Sequence, residues 1–175
     1  AARQQEAAAG MAEAAERYLR LKTAARLLQW SMERFRQTRQ GPMLARASEI
    51  FQALTLGSFS RLLVDADSHD SPRLMSIRTD GNKPVEVPGL SEGTRDQLYL
   101  ALRLAALDQQ ASQGNCMPLI ADDLFINFDD RRTAAGLQVL GDVSRRMQVI
   151  LLTHHDHLVP LARQVLGDGL NVIEL

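Results

Sequence analysis

Apolar residues in the first part of the chain recur in alternating steps of three and four. Met11, Ala14, Tyr18, Leu21, Ala25, Leu28, Met32 and Phe35 form this series. Its mean period of ~3.5 residues is the seam repeat of a coiled coil. Leu19, Leu27 and Trp30 widen the stripe in its second half, as an ordinary surface helix would. The regularity of the repeat favours the coiled coil, whose partner helix is expected outside this chain. Gly41-Pro42 predicts a stop, because proline removes a backbone donor and crowds the preceding turn. A helical pattern resumes over residues 43–54 and ends at Gly57.

Shorter runs follow. Residues 59–64, 74–79 and 85–87 read as strands, the last two around Asp80-Gly81-Asn82-Lys83-Pro84, a hairpin signal with a longer loop. Pro88-Gly89 closes this antiparallel region, and residues 95–110 form a helix apolar on nearly all sides, hence largely buried. Ser112-Gln113-Gly114-Asn115 ends it. Residues 116–121 are too short for a helix and read as a buried parallel strand, followed by a helix at 131–140 and a second buried strand at 148–152. A helix at 157–166 and a last strand at 171–175 complete an α/β pattern, with functional groups expected at the strands' carboxyl ends. Two domains are expected: a coiled-coil arm at 1–40 and a globular part at 41–175.

Composition narrows this picture. The chain has 175 residues, 45% of them hydrophobic, enough for one sizeable core with an appendage. A net charge of -1 gives no basic footprint, so bulk charge supports no claim of nucleic-acid binding. The single cysteine, Cys116, excludes an intramolecular disulfide and a cysteine-cluster zinc site, and fits a reducing, cytoplasmic compartment. No apolar run approaches the ~20 residues that span a bilayer. The chain begins at Ala1 rather than methionine, as a fragment or processed product would.

Three short stretches carry chemistry. Ser91 stands as N-cap before the 95–110 helix, with Gly93 where no side chain obstructs an anion approaching the backbone N–H groups and the positive helix end. Taken alone, such a turn merely caps a helix. Asp122-Asp123 ends the first parallel strand: one carboxylate suits a magnesium ion, and the other the orientation of an attacking water. Thr153-His154 ends the second strand, where a histidine serves as a hydrogen-bond donor to phosphate. His154, His155, Asp156 and His157 raise a metal cluster as a rival, but adjacent side chains leaving a strand are expected to diverge.

In combination these stretches resemble a known family. Leu90-Ser91-Glu92-Gly93-Thr94 looks like the signature motif of ABC-type ATPases, and residues 117–123 like their Walker B strand. Ile126-Asn127-Phe128-Asp129 looks like the D-loop, and Thr153-His154 like the switch histidine. The wording of the signature helix, with Asp-Asp-x-Phe-x-Asn-Phe-Asp-Asp and Thr-His-His downstream, is similar to the YhaN-like branch of SMC-type DNA-repair ATPases, from about residue 54 onward.

The resemblance implies the C-terminal lobe of a P-loop ABC-type head: a mostly parallel sheet flanked by helices, a small antiparallel region, and the returning arm of an antiparallel coiled coil. It implies ATP and Mg2+ as cofactors and a second head as homodimer partner. Ser91, Glu92 and Gly93 would meet the γ-phosphate of nucleotide held by the other head, Asp122 would hold magnesium, and Asp123 would activate water. His154 would sense the γ-phosphate, and Asn127 and Asp129 would form the D-loop that communicates across the dimer. DNA and a metallophosphatase-type nuclease subunit are implied as further partners, with no membrane. Glu92 and Thr94 depart from the commoner signature residues, and Asp123 stands where glutamate is usual.

A P-loop requires Gly-Lys before serine or threonine, whereas Lys22 and Lys83 follow Leu21 and Asn82. The chain is therefore expected to be the half-head that an N-terminal P-loop half of the same polypeptide completes, and to be inactive alone. Two alternatives are a coiled-coil scaffold with a weakly active or inactive head, and a Toprim-type metal-dependent nuclease, which the adjacent Asp122-Asp123 fits poorly.

Overall fold

The computed structural model describes residues 2–65, 72–114 and 117–174, with the side chains of 2–9, 33 and 36–40 outside that description. Asn115, expected in a helix-closing loop, Cys116, expected to begin a strand, and Leu175, expected to end one, lie outside the described residues. The chain divides into two compact units, Ala1–Pro42 and Met43–Leu175.

The first helix, α1, spans Ala2–Leu54 and contains Pro42. The expected break at Gly41-Pro42 does not occur. Proline's fixed φ is already that of a helix, so its cost is local, one lost hydrogen bond and a crowded carbonyl. Helix formers resume at once with Met43, Leu44, Ala45 and Arg46. Within the first unit the seam residues Met11, Tyr18, Leu21, Leu28, Met32 and Phe35 are all exposed, as an apolar stripe without a second helix must be.

In the second unit the end of α1 turns inward. Ala47, Ile50, Phe51 and Leu54 are buried at helical spacing. The helix then closes through Leu56 and Gly57, both at positive φ (52° and 78°). Strands β1 (Phe59–Asp65), β2 (Arg73–Arg78) and β3 (Pro84–Glu86) form an antiparallel sheet in that order. Phe59 on β1 meets Phe51 with ring centroids 5.2 Å apart, which joins sheet to helix.

Helix α2 (Glu92–Ser112) buries Leu98, Ala101, Leu104 and Ala105 along one face. The helix is largely buried, as its composition predicts: over residues 95–110 only Tyr99, Arg103 and Gln110, on the far face, are exposed. Gln97 fixes the inner face, its Nε2 donating to the Leu54 carbonyl at 2.7 Å.

A second sheet pairs β4 (Leu119–Asp122) in parallel with β5 (Val149–Leu152). Helices α3 (Asp130–Ser144) and α4 (Leu158–Leu166) follow β4 and β5 respectively. Leu119, Ala121, Val149 and Leu151 pack against the core. Ile120, Ile150 and Leu152, which alternate with them, stay 63%, 37% and 41% exposed. The expectation of strands buried on both faces is overturned: period-two alternation gives one covered face and one open apolar face. The expected last strand is not formed by residues 171–174, and Ile173 is exposed. A strand needs a neighbour to take its N–H and C=O groups, and among the described residues β5 is paired with β4 alone.

Candidate functional site

The parallel pair ends in acids and a short loop. Asp122 is opposite Leu152 in the register, at the carboxyl end of the open face, and is exposed. Asp123 leaves the strand at once: its backbone adopts φ 45°, a left-handed conformation that aspartate tolerates better than most residues. Its N–H still donates to the Leu152 carbonyl at 2.9 Å, so the turn is anchored to β5.

The loop after β5 wraps the Asp123 carboxylate. The Thr153 hydroxyl donates to Oδ1 at 3.2 Å, the His154 N–H reaches the same oxygen at 3.4 Å, and His154 Nδ1 lies 2.7 Å from Oδ2. Thr153 Oγ1 in turn accepts the His155 N–H at 3.1 Å. Desolvation pushes the Asp123 carboxyl up, but the hydrogen bonds from the His154 ring and backbone and from Thr153 together hold it below the usual carboxylate range. Asp123 therefore remains an acceptor at neutral pH: Oδ1 already takes two donors, and Oδ2, next to the His154 ring, keeps a lone pair for a further donor.

The signature-like turn begins α2. Ser91 is the N-cap, with φ -63° and ψ 157°, but its hydroxyl bonds the Thr94 hydroxyl at 2.8 Å instead of a backbone N–H. The first-turn N–H groups stay outside that hydroxyl pair. Glu92 is exposed at the first helical position, where its charge suits the helix dipole. A Cβ on Gly93 would stand 2.9 Å from the Asn127 carbonyl oxygen. Asn127 also donates from Nδ2 to Asp96 Oδ2 at 2.8 Å, one turn along α2.

The structure therefore brings the D-loop-like stretch onto the signature-like helix. Asp129 caps α3, accepting the Arg132 N–H at 2.9 Å, so it has a structural task besides the one expected of it. Asp96, Tyr99, Arg103, Asp122, Asp123 and Asn127 share an open groove of about 530 Å³. Sequence reasoning passed over Asp96, although it sits on the same helical face as Glu92. It also set His155 aside as divergent, whereas its ring centroid lies 4.0 Å from that of His154.

The chain matches no protein-family model. It is 29% identical over 147 residues to YhaN, an uncharacterised protein of Bacillus subtilis strain 168, covering 83% of this chain and 15% of that protein. Among solved structures it resembles an SMC ATPase studied for ATP-driven dimerisation and DNA-stimulated activation, with TM-score 0.59, 19% identity, and 74% and 77% of the two chains covered. The chain has the fold of the C-terminal part of an SMC-like ATPase head. The Smc head of Pyrococcus yayanosii with its coiled coil and joint aligns at TM-score 0.58 and 17% identity, over 78% of this chain and 26% of that one. An Smc head bound to the C-terminal winged-helix domain of ScpA aligns at 0.56 and 20%, over 70% and 37%. This head fold places α2, β4 and β5 in one unit, and the chain spans only 15% of the length of its Bacillus relative. No helix among the described residues is long and apolar enough to cross a membrane.

Proposed function

We propose that this chain is the C-terminal half of an SMC-like ATPase head that binds and hydrolyses ATP between two engaged heads. The observation that supports this most is the convergence of Asp122, Asp123, Thr153 and His154 at the carboxyl ends of a parallel strand pair. That is where an α/β sheet places its ligands. An exposed carboxylate such as Asp122 is the hard oxygen donor that Mg2+ prefers. Bound there, the ion would neutralise phosphate charge.

The residues of this chain supply the rest. Asp123, held as a carboxylate, orients a water. His154, exposed beside it, senses the γ-phosphate. The first turn of α2, with Ser91, Glu92 and Gly93, meets phosphate held by the second head, because backbone N–H groups at a helix start attract anions. Asn127 and Asp129 face that head. A P-loop half of the same polypeptide covers the open face of β4 and β5, since parallel sheets are ordinarily covered on both sides. The solved heads extend the proposal to DNA as effector and to an ScpA-like partner, and the resemblance of the motifs extends it to a nuclease subunit and to DNA repair or chromosome maintenance.

The test is Mg2+-dependent ATP turnover and head dimerisation, for this chain alone and after reconstitution with its P-loop half. Activity is expected only in the reconstituted pair, and Ser91→Arg should abolish nucleotide-dependent dimerisation while leaving the unfolding midpoint unchanged. Wild-type dimerisation in that variant overturns the shared-site assignment, and a silent reconstituted pair favours a scaffold with an inactive head.

A further inference from the structure

We propose that Asp123, His154 and His155 form a binding site for a transition-metal dication of the zinc class. One ligand atom from each of the three residues lies within 4.8 Å of the others. Two imidazoles and one carboxylate are a nitrogen-rich donor set, suited to Zn2+ and its neighbours and unlike the all-oxygen shell that Mg2+ takes. The site is thus distinct in chemistry and residues from the Asp122 carboxylate assigned to magnesium.

The backbone explains why neighbouring histidines converge here. After Leu152 the chain is no longer in the pleat, and the His155 N–H folds back onto Thr153 Oγ1 at 3.1 Å. That turn brings the His154 and His155 rings to 4.0 Å at an interplanar angle of 36°. His154 Nδ1 already lies 2.7 Å from Asp123 Oδ2. The left-handed backbone of Asp123 aims its carboxylate at this turn.

Ligands sharing a tetrahedral zinc ion at about 2.1 Å stand about 3.4 Å apart. His154 is exposed and His155 half-exposed, so rotation about their side-chain bonds brings separations that now lie between 2.7 Å and 4.8 Å to that spacing. The fourth position faces solvent and takes water, as in three-ligand zinc sites. His157 is outside the set: its ring centroid stands 5.6 Å from that of His155, and its nitrogens are not among the clustered ligand atoms. Occupancy engages the Asp123 carboxylate, which makes the ion an inhibitor of water orientation. That consequence rests on the ATPase reading, whereas binding itself does not.

The experiment is titration of the tag-free chain with Zn2+ against a chromophoric chelator, and with Co2+ followed by its visible absorption. One ion per chain is expected, with affinity reduced about tenfold or more in both His155→Ala and Asp123→Asn and held within about twofold in His157→Ala. Each variant is checked for an unchanged far-ultraviolet circular dichroism spectrum. Wild-type affinity in His155→Ala, or the absence of saturable binding in the parent chain, overturns the proposal. ATP turnover plays no part in the readout, so failure of this site and failure of the ATPase reading are separable.

Discussion

Among the described residues of the second unit, Asp108 is the one buried charge. Its side chain is 6% exposed, and Oδ2 accepts from Arg46 Nε at 2.7 Å and from Arg146 Nη2 at 2.8 Å. One carboxylate thereby ties together the inner end of α1, the signature-like helix and the residues after α3. The hydrogen bond to Asp108 raises the Arg46 guanidinium above its already high range, with burial working against it. A raised cationic group contributes stability below its unfolded pKa and loses it only as pH rises through the folded value. The contact is therefore intact across the neutral range. Removing a partner from a fully buried pair costs ~3–5 kcal/mol, but the arginines here are 33% and 49% exposed and regain water. Asp108→Ala should lower stability by about 2 kcal/mol, read as a shift of the urea midpoint at constant slope.

At the scale of elements, the start of α2 and the stretch after β4 behave as one piece, and Gly93 stands where the two meet. An anion seat and a docking surface predict opposite signs for Gly93→Ala. If the glycine only left room for phosphate, alanine would stabilise the isolated chain by up to ~1 kcal/mol through helix propensity. Because a Cβ stands 2.9 Å from the Asn127 carbonyl oxygen, a backbone atom with little freedom to yield, the substitution should instead destabilise it by about 1–2 kcal/mol. Thermal or urea unfolding without nucleotide reads the sign directly. This contact also marks the limit of what the sequence carries. Periodicity located α2, the hairpin strands and the parallel pair, because each is a local pattern with a local cause. Ser91 as N-cap was legible for the same reason. The Asn127–Asp96 bond spans 31 positions and the His154–Asp123 contact another 31; neither leaves a trace in local spacing. Pro42 misled because a stop signal records a penalty without recording what offsets it. Residues 171–174 misled because an alternating run specifies a strand only when a neighbour is there to pair with it.

At the scale of the whole molecule, each unit keeps an apolar surface in water. In the first it is the seam from Met11 to Phe35, and in the second the face bearing Ile120, Ile150 and Leu152. Scattered apolar residues on a surface need no explanation, but a contiguous set on a parallel sheet does, because such sheets ordinarily carry cover on both sides. Ile120 is the sharpest probe, since it is 63% exposed and paired in register with Ile150. Ile120→Glu should leave the isolated chain's stability within about 0.5 kcal/mol, as ordinary surface substitutions do. Against a P-loop half packed on this face, the same substitution places a carboxylate in an apolar contact and removes a buried isoleucine worth ~1.5–3 kcal/mol. Association of the two halves should weaken about 100-fold. Leu119→Glu, one residue away and pointing into the core, should destabilise the chain itself before any partner is added. If Ile120→Glu unfolds the chain as Leu119→Glu does, the face is covered from within. If both halves still join with wild-type affinity, the partner sits elsewhere, and the alternation of β4 and β5 has no bearing on assembly.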